Sequence, residues 1–314
     1  MNTTKGTSSN LTGVWVDTLT PIKEDRHIDL HRLESHIRTL ETKGAKGFLL
    51  FGFLGEGASF SSEEKAEAIS YLIKSGIEPS TLALAVSCNA APDAARLIHF
   101  AQSAHLHGVT LCAPNFYKPL NHLGLCAYFD HLMALLPDGE MKHYLHLLPS
   151  STHVDVPESV LSDIISKHGK RFLGILNDSG NPGITHDLIK TFASQINIHS
   201  FNEFDIKTLN SAGTFSGMAN VIPRVVQHLL HQEQNTQATF IPGMKVKSPN
   251  DRLLEFNEVM AKMPSIAAYK FLLAQIYHDT TWLNSRPPLY RLDQEQMNLV
   301  SKKFKSFDLQ TSEE

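Results

Sequence analysis

The chain is 314 residues long, 42% hydrophobic and 19% charged, which is apolar material enough for one large α/β unit and too little charge for a disordered chain. A net charge of −4 without a dense Lys/Arg run leaves no electrostatic footprint for nucleic acid or an anionic membrane, so the expected partner is a small molecule. Three cysteines, Cys88, Cys112 and Cys126, are odd in number and not at metal-ligand spacing; no disulfide framework, metal site or cofactor is expected, and a reducing cytoplasm fits.

Residues 1–11 begin polar and Thr/Ser-rich and read as a flexible tail, and no run is long and apolar enough to span a bilayer. From residue 12 onward, short apolar segments at 13–21, 47–52, 82–88, 108–114, 143–149, 172–178, 196–202 and 213–219 alternate with amphipathic stretches. The latter fall at 29–43, 62–74, 92–107, 123–136, 157–167 and 185–195, with apolar residues three and four apart. The Ser61-Ser62-Glu63-Glu64 run places a capping hydroxyl ahead of first-turn acids, and Pro92 and Pro157 suit first turns.

The alternation predicts a (β/α)8 TIM barrel over 12–223, closed by eight parallel strands. Beyond Pro223 the strand pattern stops, and helical stretches at 224–232, 250–262, 266–277 and 293–307 predict a C-terminal helical region over 224–314, with a turn at Pro242-Gly243. In such a barrel the site is built from the C-terminal ends of the strands and the loops after them.

Those ends carry a recognisable series of motifs. Gly13-Val14-Trp15-Val16-Asp17-Thr18-Leu19-Thr20-Pro21 opens it, followed by Gly52-Phe53-Leu54-Gly55-Glu56 and Phe60-Ser61-Ser62-Glu63-Glu64. Then come Pro114-Asn115-Phe116-Tyr117-Lys118-Pro119, Leu148-Pro149-Ser150-Ser151-Thr152, the run from Gly213 to Pro223, and Arg286-Pro287-Pro288-Leu289. Each is weak alone, but in this order the series, over roughly residues 12 to 300, resembles the dihydrodipicolinate synthase and N-acetylneuraminate lyase family.

The resemblance implies a mechanism in which a lysine at the end of strand six captures pyruvate or a related 2-oxo acid as an imine. A strand-five tyrosine relays protons, and two loop threonines hold the carboxylate. Aligning Phe172-Leu173-Gly174-Ile175-Leu176-Asn177-Asp178-Ser179 with the strand-six block puts Asn177 in the lysine's place, and an amide forms no imine. His146 takes the relay position, with Tyr144 two residues deeper on the same face. Phe53 and Leu54 replace the threonines, and Ser151 replaces an arginine usual in the synthase branch.

The candidate catalytic residues are therefore Asp17, His146 and Asn177. The candidate substrate contacts are Phe53, Leu54, Gly55, Ser151 and Ser216. Two readings follow. In one, a carboxylate, an imidazole and an amide perform acid–base chemistry on a small metabolite without a covalent amine. In the other, the protein is a non-catalytic binding or scaffolding pseudoenzyme. A third remains if the strand-six register is misread, namely an active pyruvate-dependent aldolase or lyase. The resemblance also implies a homodimer or homotetramer. His143, His146 and His153 are the one histidine group to weigh for a metal, and packing is the favoured role for them. Cys88 and Cys112 end strands without an evident activating partner, and Glu56 reads as a loop-holding residue.

Overall fold

The computed structural model describes residues 11–137, 139, 141–203, 213–231 and 249–308. The tail through residue 10 and the turn at Pro242-Gly243 lie outside them. Eight strands, β1 (Gly13–Asp17), β2 (Gly47–Leu50), β3 (Leu82–Val86), β4 (Gly108–Cys112), β5 (His143–Leu147), β6 (Phe172–Asn177), β7 (Asn197–Ser200) and β8 (Gly213–Ser216), run parallel in one sheet. The order β7-β6-β5-β4-β3-β2-β1-β8 makes each neighbour in sequence a neighbour in space, with β8 returning to β1. The β7–β8 seam is bridged by the Thr214 hydroxyl, which donates to the Ser200 carbonyl at 3.1 Å. This is a (β/α)8 TIM barrel.

Between the strands lie α1 (Leu30–Thr42), α2 (Ser62–Lys74), α3 (Ala91–Ser103), α4 (His122–Leu135), the one-turn α5 (Pro149–Thr152), α6 (Glu158–His168) and α7 (Pro182–Phe192). After β8 follow α8 (Pro223–His231), α9 (Pro249–Met260), α10 (Ser265–Ile276) and α11 (Gln294–Asp308). No described helix is long and apolar enough to cross a membrane. The first turn of α2 is capped as its sequence predicts: the Ser61 hydroxyl accepts the Glu64 N–H at 3.2 Å, and the Glu64 carboxylate accepts the Ser61 N–H at 2.9 Å.

Strand alternation sorts the side chains into two cores. Val14, Val16, Phe48, Leu84, Val109, Leu145 and Ile175 face outward beneath the helices, whereas Trp15, Leu49, Ala83, Tyr144, Leu176 and Phe215 fill the barrel itself. Leu11, at the end of the expected tail, is buried in that inner cluster and helps to plug the floor. Gly174 is small because a Cβ there would come within 3.0 Å of the Tyr144 ring. Tyr144 is in turn fixed low in the barrel by its hydroxyl, 3.1 Å from His107 Nε2.

The turn after β8 is stitched to the barrel top through buried polar contacts. Asn220 donates to the Asp17 carbonyl at 2.8 Å, accepts the Leu19 N–H at 3.1 Å, and lies 3.1 Å from His36 Nε2. It therefore fixes the direction in which the chain leaves β1. Asn220→Ala strands a buried N–H and a buried C=O at once; about 2–4 kcal/mol of stability is expected to be lost, read from the urea midpoint.

Candidate functional site

Extending the inner face of each strand upward brings Asp17, Ser87, Cys112, His146 and Asp178 to the C-terminal rim. Cys112, His146 and Leu176 are direct Cα neighbours across β4, β5 and β6. Asp17, Cys112 and His146 are all buried, while the Asp178 side chain keeps 28% of its surface exposed and Ser87 is open to solvent.

Asp17 is held by one hydrogen bond: Oδ2 accepts the Leu54 N–H at 3.1 Å, and Oδ1 is buried with no partner. Oδ1 lies against Gly52, where a Cβ would come within 2.1 Å, so the loop after β2 must carry glycine to pass this carboxylate. Burial drives the Asp17 carboxyl up to about 7; the Leu54 N–H opposes the rise, Asp178 adds to it and His146 pulls it back. All three groups, Asp17, His146 and Asp178, continue the inner face, two residues above Trp15, Tyr144 and Leu176, at the C-terminal end of their strands.

His146 is clamped in plane by Phe201, the two rings stacking at 4.8 Å with 4° between them. Its Nε2 stands 3.6 Å from Asp178 Oδ2, beyond a hydrogen bond, and has no other partner. Burial alone would lower its basicity, but the Cys112 sulfur and the Asp178 carboxylate reverse this and hold the imidazole above its ordinary range. Glu203, just past β7, accepts from the Ser216 hydroxyl, and burial raises its carboxyl to about 7. Tyr269 of α10 is buried close enough to Glu203 and Asp17 for both to push its phenol up, in addition to burial. Three carboxyl groups, an imidazole and a thiol thus share one largely dry rim, an arrangement suited to moving protons near neutral pH.

Of the residues expected from sequence, Asp17 and His146 are brought together and Asn177 is not. Asn177 Nδ2 donates to Thr185 Oγ1 of α7 at 2.8 Å, and its Oδ1 accepts the Ser179 N–H at 3.2 Å. Its side chain lines a cleft of about 240 Å³ under α6 and α7, outside the barrel wall. The inward residue at that height is Leu176, one position earlier; a one-residue offset along a strand exchanges its two faces, which corrects the placement of Asn177 in the mouth. Neither 176 nor 177 is a lysine.

The remaining candidates divide. Leu54 borders the site through its N–H to Asp17 and packs where a Cβ on Gly217 would sit, and Phe53 stands 39% exposed at the rim. Gly55 is required by the fold, since a Cβ there would meet the Thr18 carbonyl at 2.8 Å, and its own carbonyl accepts from the Thr20 hydroxyl at 2.7 Å. Ser151 is half-buried on α5. The Ser216 oxygen is already committed to Glu203 and to the Ala219 N–H at 3.0 Å.

His143 and His146 face opposite sides of β5; His143 Nδ1 lies 3.0 Å from the Arg171 carbonyl under the helices, so the weighed histidine group does not form. A different grouping, His122, Cys126 and Asp163, lies on the outer surface between α4 and α6, with His122 Nε2 2.7 Å from Asp163. The one-turn spacing of His122 and Cys126 was its signal in the sequence.

Sequence reading missed Asp178, Glu203 and Tyr269, and found no partner for Cys112, whose neighbour in the ladder is His146. Asp178 was findable: it shares strand parity with Gly174 and Leu176.

Comparison with known proteins agrees with this architecture. The model of the dihydrodipicolinate synthetase family matches residues 10–307. The 2-dehydro-3-deoxy-phosphogluconate/2-dehydro-3-deoxy-6-phosphogalactonate aldolase of Saccharolobus solfataricus is 24% identical over 91% of this chain and 92% of its own length. The 4-hydroxy-tetrahydrodipicolinate synthase of Chlamydia trachomatis serovar D is 26% identical over 70% of this chain and 74% of its own. Among solved structures, dihydrodipicolinate synthase from Agrobacterium tumefaciens str. C58 superposes with a TM-score of 0.84, at 24% identity, covering 94% of this chain and 99% of that one. With a family match spanning nearly the whole sequence and the same barrel beneath it, the chain belongs to the dihydrodipicolinate synthetase family.

Proposed function

We propose that this protein binds a small hydroxyl- or carbonyl-bearing metabolite at the C-terminal mouth of its barrel, and that it has left lysine-imine chemistry for proton transfer by Asp17 and His146. The observation that carries the reading is Leu176: the inner face of β6 ends in an alkyl side chain, flanked in register by His146. Two lysines are buried among the described residues. Lys270 is committed to Glu56 and to the Asn284 carbonyl, and Lys65 lies on α2 beside Cys88, on the outer face of β3. Neither supports an amine in the mouth.

Charge supports the same reading. Phe53 and Leu54 offer no side-chain donor to a keto-acid carboxylate, and Asp178 together with two further carboxyls that ionise near pH 7 disfavours an anion there. A neutral polar metabolite fits better. Asp17, poised near neutrality and with a free Oδ1, supplies the general acid–base; His146, kept cationic by its neighbours, supplies a donor to a developing oxygen charge.

Incubation with pyruvate and borohydride followed by intact-mass measurement is expected to leave the mass unchanged. A stable pyruvate adduct on any lysine would overturn the proposal and restore an ordinary aldolase.

A second reading, a non-catalytic binder, is favoured by the depth of the site, since Asp17, Cys112 and His146 are each 5% exposed or less. Asp17→Asn and His146→Ala separate the two: ligand-induced shifts in melting temperature that survive both substitutions, with no turnover in the parent, identify the binder. Assembly as a homodimer or homotetramer belongs to the same proposal and is read by light scattering.

A further inference from the structure

We propose that Cys112 is a nucleophilic thiol, that His146 is its proton partner with Asp178 as the carboxylate behind it, and that this row captures small neutral aldehydes as hemithioacetals. The inference deepens the reading of the mouth as a ligand site and rests on it.

The geometry comes from three successive strands. Cys112 and His146 are Cα partners at the top of β4 and β5, both on the inner face. Asp178 follows β6 on the far side of His146, with its Oδ2 3.6 Å from Nε2. Phe201 stacks on the imidazole and fixes its plane, and the order of the strands sets His146 between Cys112 and Asp178. A nucleophile, a base and a carboxylate that orients the base are the three parts an activated thiol requires, and they are recognised by arrangement rather than by order in the chain. On the β3 side, solvent-exposed Ser87 continues the inner face of Ala83 and Ala85 and marks the rim.

His146 Nε2 and Asp17 Oδ1 are buried polar atoms without partners in the same mouth. Such atoms carry a desolvation cost unless a ligand meets them, and a carbonyl oxygen beside Cys112 would meet the imidazole. The electrostatics agree with the geometry. Burial pushes the Cys112 thiol up, but attraction to the His146 imidazolium beside it opposes burial, and the thiol lies below its ordinary value.

The step balances within these groups. The thiolate sulfur adds to the carbonyl carbon, forming the C–S bond. The C=O π pair moves to oxygen, which takes the proton from the imidazolium. Thiolate and imidazolium are both neutralised, the reverse step releases the aldehyde, and no oxidant or co-reactant is needed.

Cys88 and Cys126 serve as internal standards, because burial raises both thiols and Asp163 adds to the rise at Cys126. The native chain is alkylated with iodoacetamide between pH 5.5 and 9, and each cysteine is followed by peptide mass. The Cys112 rate should hold to a lower pH than that of either standard, whose rates should slow about tenfold per pH unit. Asp178→Asn, at the partly exposed rim, should shift the Cys112 profile upward by about one unit or more, and His146→Gln should shift it further. Glycolaldehyde should protect Cys112 and neither standard.

A Cys112 profile that falls in parallel with Cys126, no labelling of Cys112 in the native chain, or no protection by the aldehyde each overturns the proposal. A borohydride-trapped pyruvate lysine would defeat the functional reading without changing the Cys112 profile, so the two failures are distinguishable.

Discussion

Replacing Lys270 by methionine is expected to lower the unfolding free energy by about 3–5 kcal/mol, because it strands a carboxylate in the interior. Lys270 and Glu56 form a buried ion pair, their side chains 1% and 0% exposed. The ammonium also donates to the Asn284 carbonyl at 2.7 Å. Glu56 has one other partner with a resolved role, the Arg286 N–H at 3.1 Å, and it sits in the left-handed region at φ 56°, so the backbone cannot relax freely around it. Once the amine is gone, the carboxylate must find water, take up a proton or break out of the loop. Combining Lys270→Met with Glu56→Gln removes the uncompensated charge and should recover most of the loss. Urea unfolding followed by circular dichroism tests both; a single-variant loss under about 1 kcal/mol would refute the buried-pair argument. The loop anchored by Glu56 carries Leu54, whose N–H is the one hydrogen bond holding Asp17. Loosening this pair should therefore also disturb the site, although Lys270 lies outside it.

The barrel was legible because its eight strands are short apolar runs ending in turn residues, and each predicted segment contains an observed strand. The mouth was legible only in part. Asp17 and His146 could be placed because the faces of β1 and β5 can be counted from Trp15 and Tyr144, which fill the barrel. Asn177 was misplaced because a motif alignment is tolerant to one residue and strand parity is not; the register shift at His143/Tyr144, opposite the start of β6, further separates counting from geometry there. Glu203 and Tyr269 carry no local signal at all. One follows a four-residue strand and the other sits on a helix after the barrel, and they meet near Asp17 only through the closure of β8 on β1. The Cys112–His146 pair is likewise invisible to spacing, since thirty-three residues, including a whole helix, separate two residues that the ladder sets side by side.

Asp17→Asn is expected to stabilise the protein at pH 8 by about 2–4 kcal/mol and to leave it nearly unchanged at about pH 4. The Asp17 carboxyl is raised from 3.8 to about 7 by burial. Between those values the unfolded chain has lost the proton and the folded chain retains it, so the folded state binds more protons and stability falls as pH rises through the window. Above 7 the folded state carries the ionised group at its full desolvation cost, for which three pKa units set a ceiling of about 4 kcal/mol. Below about 4 both states are protonated and the cost disappears. Asparagine keeps an oxygen for the Leu54 N–H and cannot ionise, so it abolishes this contribution; a residual slope from Glu203, raised in the same direction, should remain. Urea midpoints of parent and variant at the two pH values decide the matter, and an equal gain at both, or none at pH 8, would show that Asp17 is not the strained acid described. A side chain that costs stability at neutral pH, and that a single amide would relieve, is a locally unfavourable choice at the end of a barrel strand, and the proton transfer proposed for Asp17 supplies a reason for it.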